Sequence, residues 1–292
     1  MQLSGTLTSI GQFCAVINNS STMKKIVLLL NAALPAVHIL QYALRQAKET
    51  GSFLHIIMIQ DHLTLLEYDY PFPNDLSLTR NRLTGRNIME EDNLLAENNV
   101  SNIIHMCRIE KVHFDVDPER SWTLEKLIGC TAFADYLLAD AAEDMQRSYL
   151  AELLVHTHCP ALLLSNTAVD PRHLLLTYDG NPSALLAIKM FAYLFPEYLA
   201  LPGTLLHVST GEEAIPQEEA VRSLVRAHYP ALEVKRLHGS AKSILPSYAA
   251  SLPSPLIVMG SFGRNALSRF FKRSIASAVL EQRIGSLFIA HD

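Results

Sequence analysis

Short runs of consecutive apolar residues recur along the chain and alternate with segments whose apolar positions return every three or four residues. The short runs read as strands buried on both faces, and the longer periodic segments read as helices covering them. In the first half the runs fall near 25–31, 53–59, 102–109, 135–139 and 160–165. In the second they fall near 172–178, 204–209, 232–237, 255–259 and 286–290. Amphipathic helices are predicted over Ala36–Thr50 and Ser183–Phe195. Strands that alternate with helices and are joined by right-handed crossovers imply a parallel, doubly wound α/β sheet of five strands in each half.

The two halves resemble each other. Lys25–Asn31 matches Arg172–Tyr178, and each is followed by a loop with a proline, Pro35 and Pro182. Both second strands carry a Leu-His pair, at His55 and His207. Asp135–Ala139 matches Pro255–Met259, and Cys159–Ser165 matches Gly285–His291. This is an internal duplication with a period far longer than that of solenoid repeats. The polar segment Ser165–Pro171 is the linker, which sets domains at 23–166 and 171–292. Residues 1–22 are polar and Ser/Thr/Asn-rich, with no basic n-region, and Met23 opens a natural first strand. They read as a disordered extension or a translation-start error, against the alternative of a short arm packed on the domain.

Composition narrows the function classes. Of the 292 residues 49% are hydrophobic and 18% charged, so the chain can build a sizeable core. The formal net charge of −5 argues against general nucleic-acid binding, which needs a strongly basic face. No apolar run is long enough for a transmembrane helix, and the reading is of a cytoplasmic protein with no membrane contact. Cys14, Cys107, Cys130 and Cys159 are scattered without a CxxC, which fits a reducing compartment.

The candidate chemistry gathers in Ser254–Leu280. A buried strand ending at Met259 is followed by Gly260 and Gly263, then by Arg264, Arg269, Lys272 and Arg273, then by Ser274 and a helix beginning at Ile275. Backbone N–H groups in a glycine loop and at a helix start can hold phosphate, and glycine lets the ligand approach the backbone. In doubly wound sheets ligands bind beyond the carboxyl ends of the strands. Asp179 follows the first strand of the second half and Val208 ends its second strand, so both should converge on this loop. The equivalent first-half loop has Asp140, Glu143 and Asp144, which would repel phosphate, and Ala32 is aligned with Asp179.

On these residues the second half resembles a universal stress protein domain, and the whole chain resembles a tandem pair. The family's pattern is glycine, two residues, glycine, nine residues, glycine and Ser/Thr; here it reads Gly260, Gly263 and Arg273-Ser274, preceded by Asp179-Gly180. The resemblance implies two tandem Rossmann-like (HUP-type) domains. It implies an adenine nucleotide, ATP or ADP, with the base against Asp179 and the backbone near Val208. Met259, Gly260 and Gly263 would line the phosphate side, and Ser274 with the helix-start N–H groups at Ile275 would contact the terminal phosphates. No metal is implied beyond nucleotide-associated magnesium. Family members pair through their last strands, which here would mean self-association or an intramolecular pseudo-dimer through Leu162–Ser165 and Leu287–His291. Arg273 departs from the pattern: a side chain there either obstructs the phosphate or binds it as a guanidinium.

Competing signals carry less. His156-Thr-His-Cys159 looks metal-like but lacks a second ligand group at zinc spacing. Trp122 and the aromatic loop 68–72 read as core and surface turn. No nucleophile–base pair, Walker A or H-E-x-x-H motif is present. The leading expectation is a non-catalytic regulatory protein that binds a nucleotide and an unidentified protein partner. The alternatives are a nucleotide-free interaction module and, third, a slow phosphoanhydride hydrolase for which no catalytic residue can be named.

Overall fold

The fold is described from a computed structural model, over residues 23–59, 77–117, 122–141, 150–165, 170–211, 214–260 and 284–290, with no account of the side chains of 77–92 and 151. The first half runs β1 (Lys25–Asn31), α1 (Val37–Thr50), β2 (Phe53–Ile59), α2 (Ser77–Glu110), β3 (His113–Val116), α3 (Leu124–Thr131), β4 (Tyr136–Asp140), α4 (Leu150–His156) and β5 (Ala161–Leu164). The second runs β6 (His173–Thr177), α5 (Pro182–Leu194), β7 (Gly203–Ser209), α6 (Glu218–His228), β8 (Leu232–His238), α7 (Ala241–Ala250), β9 (Pro255–Gly260) and β10 (Ser286–Ala290).

All ten strands belong to one sheet, ordered β3-β2-β1-β4-β5-β10-β9-β6-β7-β8. Each half is a parallel doubly wound sheet whose order reverses between its first and fourth strands, β1 with β4 and β6 with β9. The inner strands are apolar almost throughout because both faces are covered, as in the buried core of β1 and β9. Alternate residues feed two cores: Ile26, Leu28 and Leu30 on one face, Val27 and Leu29 on the other. The outermost strand β8 instead has no fully buried residue and carries Glu233, Lys235 and Arg236, charges that discourage pairing with a further strand.

The halves meet through β5 and β10, which pair antiparallel with Leu163 opposite Leu287 and Leu162 opposite Phe288. The buried Ser286 hydroxyl accepts the Ser165 N–H at 3.1 Å and so ends the ladder. Over one face an aromatic cluster spans the seam. Tyr136 of the first half meets Phe195 of the second edge-on, with ring centroids 5.0 Å apart. Phe195 and Phe191 in turn pack on Phe288 at 5.8 and 5.2 Å. The Tyr198 hydroxyl donates to that of Tyr42 at 3.3 Å, and Lys24 Nζ donates to the Leu194 carbonyl while lying over the Phe195 ring.

Nine of the ten expected strands lie within about two residues of their places, and the tenth does not. Residues 102–109 are the end of helix α2, and the third strand is His113–Val116. Ile103 and Cys107 are buried and Val100 and Met106 pack on the same core, a stripe at helical spacing that the adjacent pair Ile103-Ile104 concealed. The true strand is a short alternating one at the sheet edge. Residues 1–22 and the aromatic loop 68–72 lie outside the described residues. Trp122 packs against the core, partly buried.

Sheet register also corrects two alignments between the halves. Leu28 lies beside Leu138, as Leu176 lies beside Val258, and all four feed the same core. Asn31, not Ala32, therefore stands where Asp179 does, and Asp140 stands where Gly260 does. The same register sets Ile56 with Leu205, so His207 corresponds to Met58, and His55 to Thr204. The two Leu-His pairs are not equivalent. His55 Nδ1 pairs with Asp115 at 2.7 Å, whereas His207 is buried on the other face.

Replacing Phe195 with alanine should remove the center of the seam cluster and lower unfolding stability by about 3–5 kcal/mol. Urea denaturation measures this, and a loss under about 1 kcal/mol would show that the aromatic contacts are incidental to joining the halves.

Candidate functional site

The candidate site lies at the carboxyl ends of β6, β7 and β9, where the second half's strand order reverses. A shallow, partly open cleft lies there, lined by Thr177, Asp179, Val208, Met259 and Gly260. Leu206 and Tyr178 complete the strand side, Ala184 comes from the first turn of α5, and Ala241 and Leu245 of α7 form an apolar wall. Four of the residues named from the sequence, Asp179, Val208, Met259 and Gly260, thus share one cleft. Gly263, Arg273, Ser274 and Ile275, with the cations between them, lie outside the described residues. Ala184, Leu206, Ala241 and Leu245 were not foreseen. Leu206 precedes Val208 by two on a strand and so shares its face, and Ala241 and Leu245 are one helical turn apart, so both pairings were implicit in the spacing.

Local bonds hold this end of the sheet in shape. The Thr177 hydroxyl donates to the Val258 carbonyl at 3.2 Å, tying β6 to β9. His207 Nδ1 donates to the Tyr178 carbonyl at 2.8 Å, which fixes the proton on that nitrogen in the neutral ring. The Tyr178 hydroxyl donates to the Pro216 carbonyl at 3.0 Å and ties the loop after β7 to the strand end. The next residues turn sharply. Asp179 Oδ1 accepts the Asn181 N–H at 2.9 Å, and Oδ2 accepts the Asn181 side-chain amide at 2.7 Å. Gly180 takes a φ of +90°, and a Cβ there would come within 2.9 Å of Pro216. Asp179 supplies the only carboxylate among the described lining residues, and these include no cation. The described cleft is therefore mainly apolar with one carboxylate at its mouth, an arrangement suited to an apolar group that carries donors on its edge.

Gly260 has a packing reason to be glycine. A Cβ there would lie 2.4 Å from the Ala184 nitrogen and the Ser183 carbonyl carbon, so the first turn of α5 rests directly on the end of β9. The first half answers the same problem differently. Asp140 occupies the equivalent position, and its Oδ1 lies 3.5 Å from His38 Nε2 in the first turn of α1. Room for these side chains comes from a longer connection: the helix cap Ala36 lies five positions beyond Asn31, but Asn181 only two beyond Asp179. Asn31 Oδ1 accepts the N–H groups of Ala33 and Leu34, and Asn99 of α2 donates to the carbonyls of Ala32 and Ala33. The first-half crevice is thus occupied by its own side chains. Glu143 and Asp144 lie outside the described residues.

The His156-Thr-His-Cys159 run does not converge. Both histidines are exposed while Cys159 is buried, and burial pushes its thiol up to about 11, disfavouring the thiolate a metal needs. Among the described residues no three His, Cys, Asp or Glu side chains are grouped to hold a metal, and no helix is long and apolar enough to cross a membrane.

This architecture defines a class: a doubly wound α/β domain with an apolar cleft at the point where strand order reverses, fused edge to edge with a second copy of the same topology. Within that class, residues 171–282 match the sequence model of the Universal stress protein family, so the second half is similar to that family's domain. The whole chain is similar in fold to a universal stress protein from Archaeoglobus fulgidus DSM 4304, with a TM-score of 0.61 at 11% identity over 91% of this chain and 96% of that one. It is similar to a candidate universal stress protein from Pseudomonas aeruginosa UCBPP-PA14, with a TM-score of 0.55 at 14% identity over 93% and 94% of the two chains. The cytoplasmic domain of a prokaryotic cation chloride cotransporter has a TM-score of 0.51 at 12% identity, covering 92% and 95%. No curated protein sequence matches significantly.

Gly260→Ala should destabilise the protein by about 1–3 kcal/mol with or without any ligand, because the new methyl meets fixed backbone. Gly129→Ala, in helix α3 with nothing within 4 Å of the added carbon, should be neutral or stabilising by up to about 1 kcal/mol. Thermal unfolding of the two variants distinguishes a packing glycine from one needed only for ligand approach. With the native protein at pH 8, Cys130, half-buried, should react with iodoacetamide before Cys107 and Cys159, whose thiols are both raised to about 11 by burial. Peptide mapping reads the order.

Proposed function

We propose that the second half binds an adenine nucleotide, ATP or ADP, in this cleft, and that the protein is a non-catalytic regulator in the cytoplasm. The observation that carries this reading is the convergence of Asp179, Val208, Met259 and Gly260 on one apolar slot at the carboxyl ends of three strands. The family of the second half supports a stress-response role. The base would lie between the strand ends and Ala241–Leu245 of α7, with Asp179 accepting from a base or ribose donor. The phosphates would extend toward the glycine loop, with Gly263, Ser274 and the N–H groups at Ile275 as their partners, and any magnesium would arrive with them. Binding would bias the conformation or the affinity for a protein partner.

A second reading has a specific observation in its favor. Gly260 is required by helix packing alone, and the family's third glycine is Arg273, so the glycine pattern could persist for structure in a nucleotide-free interaction module. Mass spectrometry of small molecules co-purified with the native protein, followed by calorimetric titration with ATP and ADP, separates the two. A bound nucleotide or a saturable heat supports the first; no nucleotide and no heat at millimolar concentration overturns it in favor of the second. Arg273→Gly should raise affinity if the side chain obstructs the phosphates and lower it if the guanidinium binds them. Steady phosphate release from ATP that is lost in Asp179→Ala would instead establish a hydrolase.

A further inference from the structure

Asn181 occupies the N-cap position of α5, with extended backbone geometry, yet its side chain makes no capping bond. Asparagine is among the best capping residues because its carbonyl oxygen can accept the open N–H groups of the first helical turn. Here the side chain is committed elsewhere: its amide donates to Asp179 Oδ2 at 2.7 Å, while its own backbone N–H donates to Asp179 Oδ1 at 2.9 Å. One residue therefore holds both carboxylate oxygens, and the helix start goes without its cap. The stretch between them is equally constrained, with Gly180 at positive φ and Pro216 against it. Asp179 is exposed at the cleft mouth, and among the described residues the hydrogen bonds to its carboxylate come from Asn181. The first half offers a contrast: Asn31 has the same position as Asp179 and makes the same turn, but its cap residue is Ala36, which has no side chain able to hold it.

We infer that Asn181 is the positioning residue for the Asp179 carboxylate, fixing it as an acceptor aimed at a ligand edge that carries hydrogen-bond donors, an amine or a hydroxyl. The inference rests on the nucleotide reading and adds a residue to it. A side chain turned from capping to a neighboring carboxylate gives up helix stability to preorganise the one charged group among the described lining residues. The ligand would meet a carboxylate whose remaining lone pairs point in a set direction, since two are already taken by Asn181.

Asn181→Asp keeps an excellent N-cap and a favorable charge at the helix start, but it replaces the donor to Asp179 with a second carboxylate. It should leave the thermal midpoint at or above that of the wild type while weakening ADP binding by about tenfold or more. The exchanged pair, Asp179→Asn with Asn181→Asp, restores an amide–carboxylate bond within the turn but presents an amide to the ligand. It should unfold like the wild type and remain weak for ADP. ADP affinity in all three proteins is read by calorimetry beside thermal unfolding. Wild-type affinity in N181D, or in the exchanged pair, overturns the positioning role and leaves the nucleotide reading standing. Loss of stability in step with affinity in N181D overturns it as well, since the residue would then act through the fold. No ADP or ATP binding by the wild-type chain overturns the nucleotide reading, and this inference falls with it.

Discussion

The antiparallel pairing of β5 with β10 is the constraint on which the rest of the molecule depends. A five-stranded doubly wound sheet that ends in a fully apolar strand leaves a row of unpaired N–H and C=O groups at that edge, beside apolar side chains on both faces. Here each half supplies the missing neighbor for the other, and the two sheets become one. The charged strand β8 can tolerate an edge; Ala161–Leu164 and Ser286–Ala290, buried throughout, cannot. The aromatic cluster of Tyr136, Phe191, Phe195 and Phe288 packs across the seam on one face.

Within that frame the two crevices differ at a few positions with large local consequences. In the second half a glycine at the end of β9 lets α5 start close to the sheet, and a short turn holds a carboxylate at the cleft mouth. In the first half an aspartate in place of that glycine, a longer connection and an asparagine from α2 fill the equivalent space. Among the described residues a common topology thus leaves one slot open and fills the other with its own side chains. The described lining of that slot is mainly apolar because strand ends and α7 form it, and its one carboxylate is held by a residue that would otherwise have capped a helix.

Much of this was legible in the chain. Buried parallel strands are written as continuous apolar runs, so nine strands and the duplication could be read directly, and Asp179, Val208, Met259 and Gly260 could be placed at strand ends by counting. The third strand of the first half was misplaced because an apolar pair inside an amphipathic helix resembles a strand when the wider stripe through Val100 and Cys107 is overlooked. The matched Leu-His pairs misled for a related reason: similarity along the sequence does not fix side-chain parity, and a shift of one residue moves a side chain to the opposite face.

The sequence by itself determined the class of fold, its repetition, and the end of the sheet at which a ligand would have to bind, because hydrophobic periodicity and chain order set these before any contact is made. Only the tertiary structure decided which residues are equivalent in the two halves, since register is a property of paired strands. It alone showed that Gly260 answers to the backbone of Ser183 and Ala184, and that Asn181 serves Asp179 rather than its own helix. Those relations depend on which groups lie within a few ångströms across separate elements, and no local pattern along the chain encodes that distance.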